Sequence, residues 1–185
     1  MADLVRLLDR LCPAAAAQHD GAAIKREPRL GRIVYSAFLV AGFWLLFRDR
    51  ALPFLNVQLW PANQTALIIG LSIQVLGLGF AIWARHVLGT NWSGRVATGS
   101  NQELIVRGPY RVVRHPIYTG LICGFLGTAV LLGNLRAFAA LLLVTTGVLL
   151  KLRREESALR EHFGEAYAEY AKRVPGLVPR ASVPD

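Results

Sequence analysis

Residues 116–150 read PIYTGLICGFLGTAVLLGNLRAFAALLLVTTGVLL and carry a single charged residue, Arg136. Gly133-Asn134 interrupts the run with a turn signal, leaving an apolar arm on each side. Working outward, Ile33 to Phe47 and Ala51 to Ala84 are likewise free of Asp, Glu, Lys and Arg. The chain of 185 residues is 54% hydrophobic and 18% charged, against about 25% charged in an ordinary soluble domain. In hydrocarbon each backbone segment must satisfy its own hydrogen bonds, so such runs predict helices. The expectation is an all-α integral membrane protein. Disordered, collagenous and disulfide-scaffold classes are excluded by the same composition.

The net charge of +9 invites a nucleic-acid reading, but its placement argues for topology. Four spans are expected at about 32–47, 65–85, 117–132 and 137–150. They would put eighteen of the 21 Lys and Arg residues on the side that holds both termini. Basic loops stay cytoplasmic, so both termini are expected inside, as in a multi-pass bacterial inner-membrane protein, and no nucleic-acid partner is expected. Residues 1–31 form a cytoplasmic tail, in which an interfacial helix around Leu4–Leu11 and a loosely ordered segment fit equally well. Residues 32–185 are the membrane domain. Cys12 and Cys123 have no metal-ligand spacing, and no metal is expected. Trp44, Trp60, Trp83 and Trp92 fall at span ends, where interfacial anchoring explains them.

The last two spans form a short hairpin of about 21–24 Å per arm, less than a bilayer core of about 30 Å. Beyond it, Leu159, Phe163, Ala166, Tyr167 and Tyr170 recur on the helical stripe that starts at Leu152. This predicts a cytoplasmic amphipathic helix over 151–173 that continues the fourth span. Glu155 and Glu156 lie on either flank of its buried face. Gly164 is expected to weaken this helix by up to about 1 kcal/mol without necessarily ending it.

The densest polar stretch is Arg107-Gly108-Pro109-Tyr110-Arg111-Val112-Val113-Arg114-His115-Pro116-Ile117-Tyr118-Thr119-Gly120. Pro116 suits the first position of a helix, whose unpaired N–H groups attract an anion. Arg114 and His115 beside it, with Glu155 and Glu156 across the same boundary, would match a zwitterion, and Tyr110 and Tyr118 offer faces to a cation. S-adenosylmethionine has that charge pattern. A structural Arg–Glu pairing that stitches loop to tail accounts for the same residues.

The motif G-P-Y-R-V-V-R-H-P-I-Y-T-G at 108–120 resembles the signature of the isoprenylcysteine carboxyl methyltransferase family, within the phospholipid and isoprenylcysteine membrane methyltransferases. Arg154-Glu155-Glu156, Phe163-Gly164-Glu165-Ala166-Tyr167, Tyr170, Arg173-Val174-Pro175 and Pro179 agree with its tail. Leu88-Gly89-Thr90-Asn91-Trp92-Ser93 resembles the stretch after the second span in bacterial members. The resemblance implies S-adenosylmethionine as cofactor. It places cofactor contacts at Gln102, Glu103, Leu104, Ile105, Tyr110, His115, Pro116, Ile117, Tyr118 and Glu155. Arg114 and Glu155 take the catalytic roles, and Lys151, Arg153 and Trp92 the acceptor contacts. Gln102 stands where enzymes acting on prenylated cysteine carry His, and Lys151 replaces an arginine, so the resemblance does not fix the acceptor.

The resulting expectation is a membrane S-adenosylmethionine-dependent methyltransferase acting on a lipophilic acceptor or a lipid-modified one, in contact with membrane lipids. A phospholipid N-methyltransferase, an NADPH-dependent sterol or polyprenoid reductase and a non-catalytic membrane protein are the alternatives. The oligomeric state is not encoded in any feature of the sequence.

Overall fold

Residues 29–48, 52–89 and 103–179 are described by the computed structural model. Their helices start and stop at capping residues legible in the chain. Helix α1 spans Arg29–Phe47. Helix α2 spans Gln64–Leu88, and the Asn63 side chain caps it by accepting from the Ala66 amide at 2.8 Å. Helix α3, Pro116–Leu132, begins on proline and ends at Gly133, whose φ of 59° is the left-handed conformation glycine tolerates. One residue later Asn134 caps α4, Leu135–Arg173, by accepting from Ala137 at 2.9 Å. Two short 3-10 turns, Pro53–Leu55 and Gly108–Arg111, complete the elements. Among the described residues there is no strand, only an isolated bridge between Gln58 and Asn134.

α1, α2 and α4 are long and apolar enough to cross a membrane, and α3 is an apolar helix of 17 residues. Their outward faces are large and hydrophobic, with Leu76 73% exposed and Ile33, Val40, Ile68 and Val75 similarly bare. In water such a surface would drive association, and in lipid it is the ordinary solvent face.

The second arm of the hairpin runs on past the fourth span, as the apolar stripe from Leu152 suggests, and starts two residues earlier than expected. α4 takes in Arg136 and runs for 39 residues without stopping at Leu150. Its first 29 residues alone would extend about 43 Å, so its second half lies beyond any hydrocarbon layer of about 30 Å. Gly164 departs from expectation. It does not merely weaken the helix but leaves helical geometry altogether (φ 52°, ψ −127°), a conformation open to a residue without Cβ. This break turns the last helical segment back, and Tyr167 and Tyr170 are buried beyond it.

The helices lie in the order α1, α4, α3, α2, with α1 against α4, α2 against α3, and α3 joined to α4. Close approach is made by glycines: Gly77 and Gly120 face each other between α2 and α3, as do Gly70 and Gly127. Phe125, Val144 and Val148 form the buried core with Leu39 and Leu141 around them, and Phe43 meets Phe125 edge-on at 4.9 Å. At the end away from the basic loop, the 52–63 connection is pinned to the α3–α4 turn. Leu59 donates to Gly133 O at 2.7 Å, and Trp60 Nε1 to Val130 O at 3.1 Å. Arg136 is buried at that end and donates to Leu46 O at the end of α1.

Candidate functional site at the basic end

Pro116 starts α3 and prevents His115 from adopting helical geometry, so the preceding loop meets the helix at a sharp junction. The chain end folds across that junction. Arg114 N donates to Pro175 O at 2.8 Å, His115 N to Gly176 O at 3.0 Å, and Thr119 Oγ1 to Leu177 O at 2.7 Å. Residues 174–178 thus form a strap over the start of α3. The Ile117 and Tyr118 amides have no acceptor among the described residues.

Beneath the strap lies a buried ion cluster. One oxygen of Glu156, Oε1, accepts from Arg114 Nε at 2.8 Å, meets Arg114 Nη2 at 2.7 Å, and lies 2.9 Å from His115 Nε2. Nη1 of the same arginine donates to the carbonyls of Ala171 and Val174. His115 and Glu156 are 6% and 7% exposed. Burial alone would raise the Glu156 pKa, but hydrogen bonds and charge from His115 and Arg114 outweigh it and hold the carboxyl down at about 2. The Tyr167 hydroxyl, in a residue 1% exposed, lies against this cluster. Tyr170 donates to Tyr110 O at 2.6 Å, and Tyr110 OH reaches Ala84 O at 3.4 Å. Burial, then the nearby Glu155 charge, pushes the Tyr110 phenol up to about 12 against the opposing pull of Arg85.

Glu155 faces the other way. Its Oε2 accepts from Tyr118 OH at 2.7 Å, and among the described residues it has no further partner. Tyr118 stacks on His115, centroids 5.9 Å apart, and its ring lies 5.4 Å from the Lys151 ammonium. The ring of Tyr35 from α1 lies 5.8 Å from the same ammonium.

The structure therefore brings together Tyr110, Arg114, His115, Pro116, Ile117, Tyr118, Lys151 and Glu155 at one end of the molecule. Arg153 is exposed, as is Glu103, while Leu104 and Ile105 are half-buried. Gln102 and Trp92 lie outside the described residues. Sequence reasoning missed Tyr35, Thr119 and the strap. Nothing in their spacing signals them, because each acts across a long sequence separation.

Fold and site define a helical integral membrane protein with a polar centre at one end, built from a loop–helix junction, a helix that outruns the membrane and a carboxylate pair. The chain belongs to the phospholipid methyltransferase family, whose model matches residues 65–166. It is 31% identical over 130 residues to protein-S-isoprenylcysteine O-methyltransferase B of Arabidopsis thaliana, covering 69% of this chain and 64% of that one. Protein-S-isoprenylcysteine O-methyltransferase of Schizosaccharomyces pombe is 39% identical over 120 residues, 57% of this chain and 49% of the other. Methanethiol S-methyltransferase of a Pseudomonas species is 29% identical over 89% of this chain and 69% of its own. The chain thus spans about half to two thirds of the length of these relatives. Among solved structures, the eukaryotic intramembrane Ras methyltransferase, an isoprenylcysteine carboxyl methyltransferase, matches with a TM-score of 0.58 at 24% identity, over 80% of this chain and 52% of the other. That likeness establishes a shared fold.

Proposed function

We propose that the protein is an S-adenosylmethionine-dependent methyltransferase acting on a lipophilic acceptor. Family membership supports this, together with relatives named for methyl transfer to isoprenylcysteine and to methanethiol. The observation that carries the reading is the divergence of two adjacent carboxylates. Glu156 is paired with Arg114 and hydrogen-bonded with His115, whereas Glu155 keeps a carboxylate oxygen for a ligand beside Tyr118.

The donor set fits the cofactor: Glu155 for its ammonium, the Ile117 and Tyr118 amides at the start of α3 for its carboxylate, and the rings of Tyr110 and Tyr118 for its cationic and aromatic parts. The family resemblance adds residues 102–105 as further cofactor contacts. Bound there, S-adenosylmethionine supplies an electrophilic methyl group on a sulfonium. The chain's own task is alignment and exclusion of water, because methyl transfer is an in-line displacement that depends on geometry and on a desolvated nucleophile. A carboxylate or thiolate acceptor needs no proton removed.

In this reading Arg114 works through Glu156 and the strap, holding the floor of the site. Lys151 receives the acceptor, with Arg153 two residues on, and the family resemblance adds Trp92 as a further acceptor contact. Both termini and the site lie on the cytoplasmic side, α3 serves as a fourth, short span, and residues 1–31 are a cytoplasmic tail. The basic residues that crowd this end of the molecule support that orientation.

Isothermal titration of the purified protein with S-adenosylhomocysteine tests the proposal. Binding is expected, with Glu155→Gln weakening it about tenfold or more, as for a lost charged hydrogen bond of roughly 1.5–3 kcal/mol. A folded wild type that releases no heat and shows no thermal stabilisation would overturn it.

A further inference from the structure

Lys151 stands at the end of the apolar stretch of α4, half-buried. Its ammonium is flanked by two aromatic faces, Tyr35 at 5.8 Å and Tyr118 at 5.4 Å. Among the described residues no carboxylate lies within ion-pair distance of it. Glu155 sits one turn further along the same helix, where an i,i+4 pair would ordinarily form, but its carboxylate is turned to the Tyr118 hydroxyl instead. That hydrogen bond also enriches the Tyr118 ring in electron density, which strengthens its hold on a cation. Tyr35 is 7% exposed, comes from α1 and lies outside the segment that matches the family model. A cation desolvated by two rings and left without a counterion retains most of its attraction for an anion.

We propose that Tyr35 is a positioning residue which, with Tyr118, holds the Lys151 ammonium open as the receptor for a negatively charged group on an apolar acceptor. The ammonium so held prefers an anionic head on a hydrophobic body to a cationic one. That this group belongs to the methyl acceptor rests on the function proposed above; the anion subsite itself does not.

The chain has three lysines, Lys25, Lys151 and Lys172, so its ammonium groups can be followed one by one. The full-length protein would be reductively methylated with 13C and reconstituted in phosphatidylcholine nanodiscs. The Lys151 methyl signals are expected upfield of the other two because of the adjoining rings. Dodecanoate should move the Lys151 signals alone, while dodecyltrimethylammonium of the same chain length should not. Tyr35→Leu should abolish the upfield position and weaken dodecanoate about three- to tenfold, the range of a lost cation–π contact, and Tyr35→Phe should restore both.

A Lys151 signal coincident with those of Lys25 and Lys172 would overturn the proposal. So would equal responses to the two amphiphiles, or unchanged dodecanoate affinity in a folded Tyr35→Leu. The wild-type comparison of the two amphiphiles decides the matter even if Tyr35→Leu does not fold. S-adenosylhomocysteine titration of the same samples separates the two claims: loss of that binding in the wild type overturns the methyltransferase reading and leaves the lysine result standing.

Discussion

Glu155 and Glu156 are consecutive on α4, and about 100° of helical rotation sends their carboxylates to different neighbours. Glu156 points to the start of α3 and is fully engaged by Arg114 and His115, with Arg160 Nη2 at 3.5 Å from its second oxygen. Glu155 points to Tyr118, at the edge of the tyrosine pair that frames Lys151. Glu156 ties loop, helix and strap together at this end, while Glu155 accepts from the Tyr118 hydroxyl.

Removing Glu156 should therefore read as a stability defect. Glu156→Ala leaves Arg114 and His115 as buried, uncompensated groups, and breaking such a pair costs about 3–5 kcal/mol. A large drop in Tm in detergent is expected. Glu155→Gln should leave Tm nearly unchanged. Equal Tm losses in the two variants would contradict the division of roles.

Arg114→Lys should fail to rescue. The guanidinium serves Glu156 with Nε and Nη2 and two strap carbonyls with Nη1, a forked geometry that a single ammonium cannot match. Limited proteolysis should cut the chain near residues 174–178 in Arg114→Lys while sparing the wild type. Wild-type resistance in the variant would show that the strap holds without the fork.

The ion cluster predicts an acid limit. Glu156 has a folded-state pKa of about 2 against an ordinary value of 4.5, so the unfolded chain binds the proton more readily. Its stabilising contribution is complete above about pH 4.5 and declines as the pH falls toward 2. Thermal melts between pH 6 and pH 3 should show wild-type Tm falling below pH 4.5. Glu156→Gln, already destabilised, should lack that component. Parallel slopes would argue against it.

Gly164→Ala should destabilise by about 1–3 kcal/mol. A Cβ there meets no atom within 4 Å, so crowding is not the cause, and the φ of 52° is. The variant should also loosen Tyr167 and Tyr170, which a tyrosine fluorescence or near-UV circular dichroism change would report. A neutral outcome would mean that the break at Gly164 does not direct the last helical segment.

Gly77→Leu meets a different obstacle. A Cβ at Gly77 would stand 2.6 Å from that of Cys123 and 2.9 Å from Gly120 O, so α2 and α3 would have to separate. Overpacking of about 1–3 kcal/mol or more is expected, read as reduced Tm, while Gly79→Leu, with nothing within 4 Å, should be tolerated.

Much of this architecture was legible in the sequence because hydrophobicity acts locally. Charge-free runs located all four helices to within a few residues at most ends, Asn63, Pro116 and Gly133-Asn134 marked their boundaries, and the 108–120 motif located the polar end. The departure from helical geometry at Gly164 was not foreseen. Helix propensity treats glycine as a uniform small penalty, whereas here the final segment gains burial for Tyr167 and Tyr170 only if glycine adopts a positive φ.

The amino-acid order alone determined the lipid-facing helices, the side on which basic residues gather and the inventory of polar groups available for chemistry. Those follow from transfer energies and backbone hydrogen bonding, which depend on neighbours a few residues away. Tertiary packing decided which of two adjacent glutamates is spent on the arginine, that residues 174–178 close over α3, and that a tyrosine from α1 joins Tyr118 beside Lys151. These contacts join residues 40 to over 100 positions apart, and their pairing depends on the angle at which helices meet, which no local pattern carries.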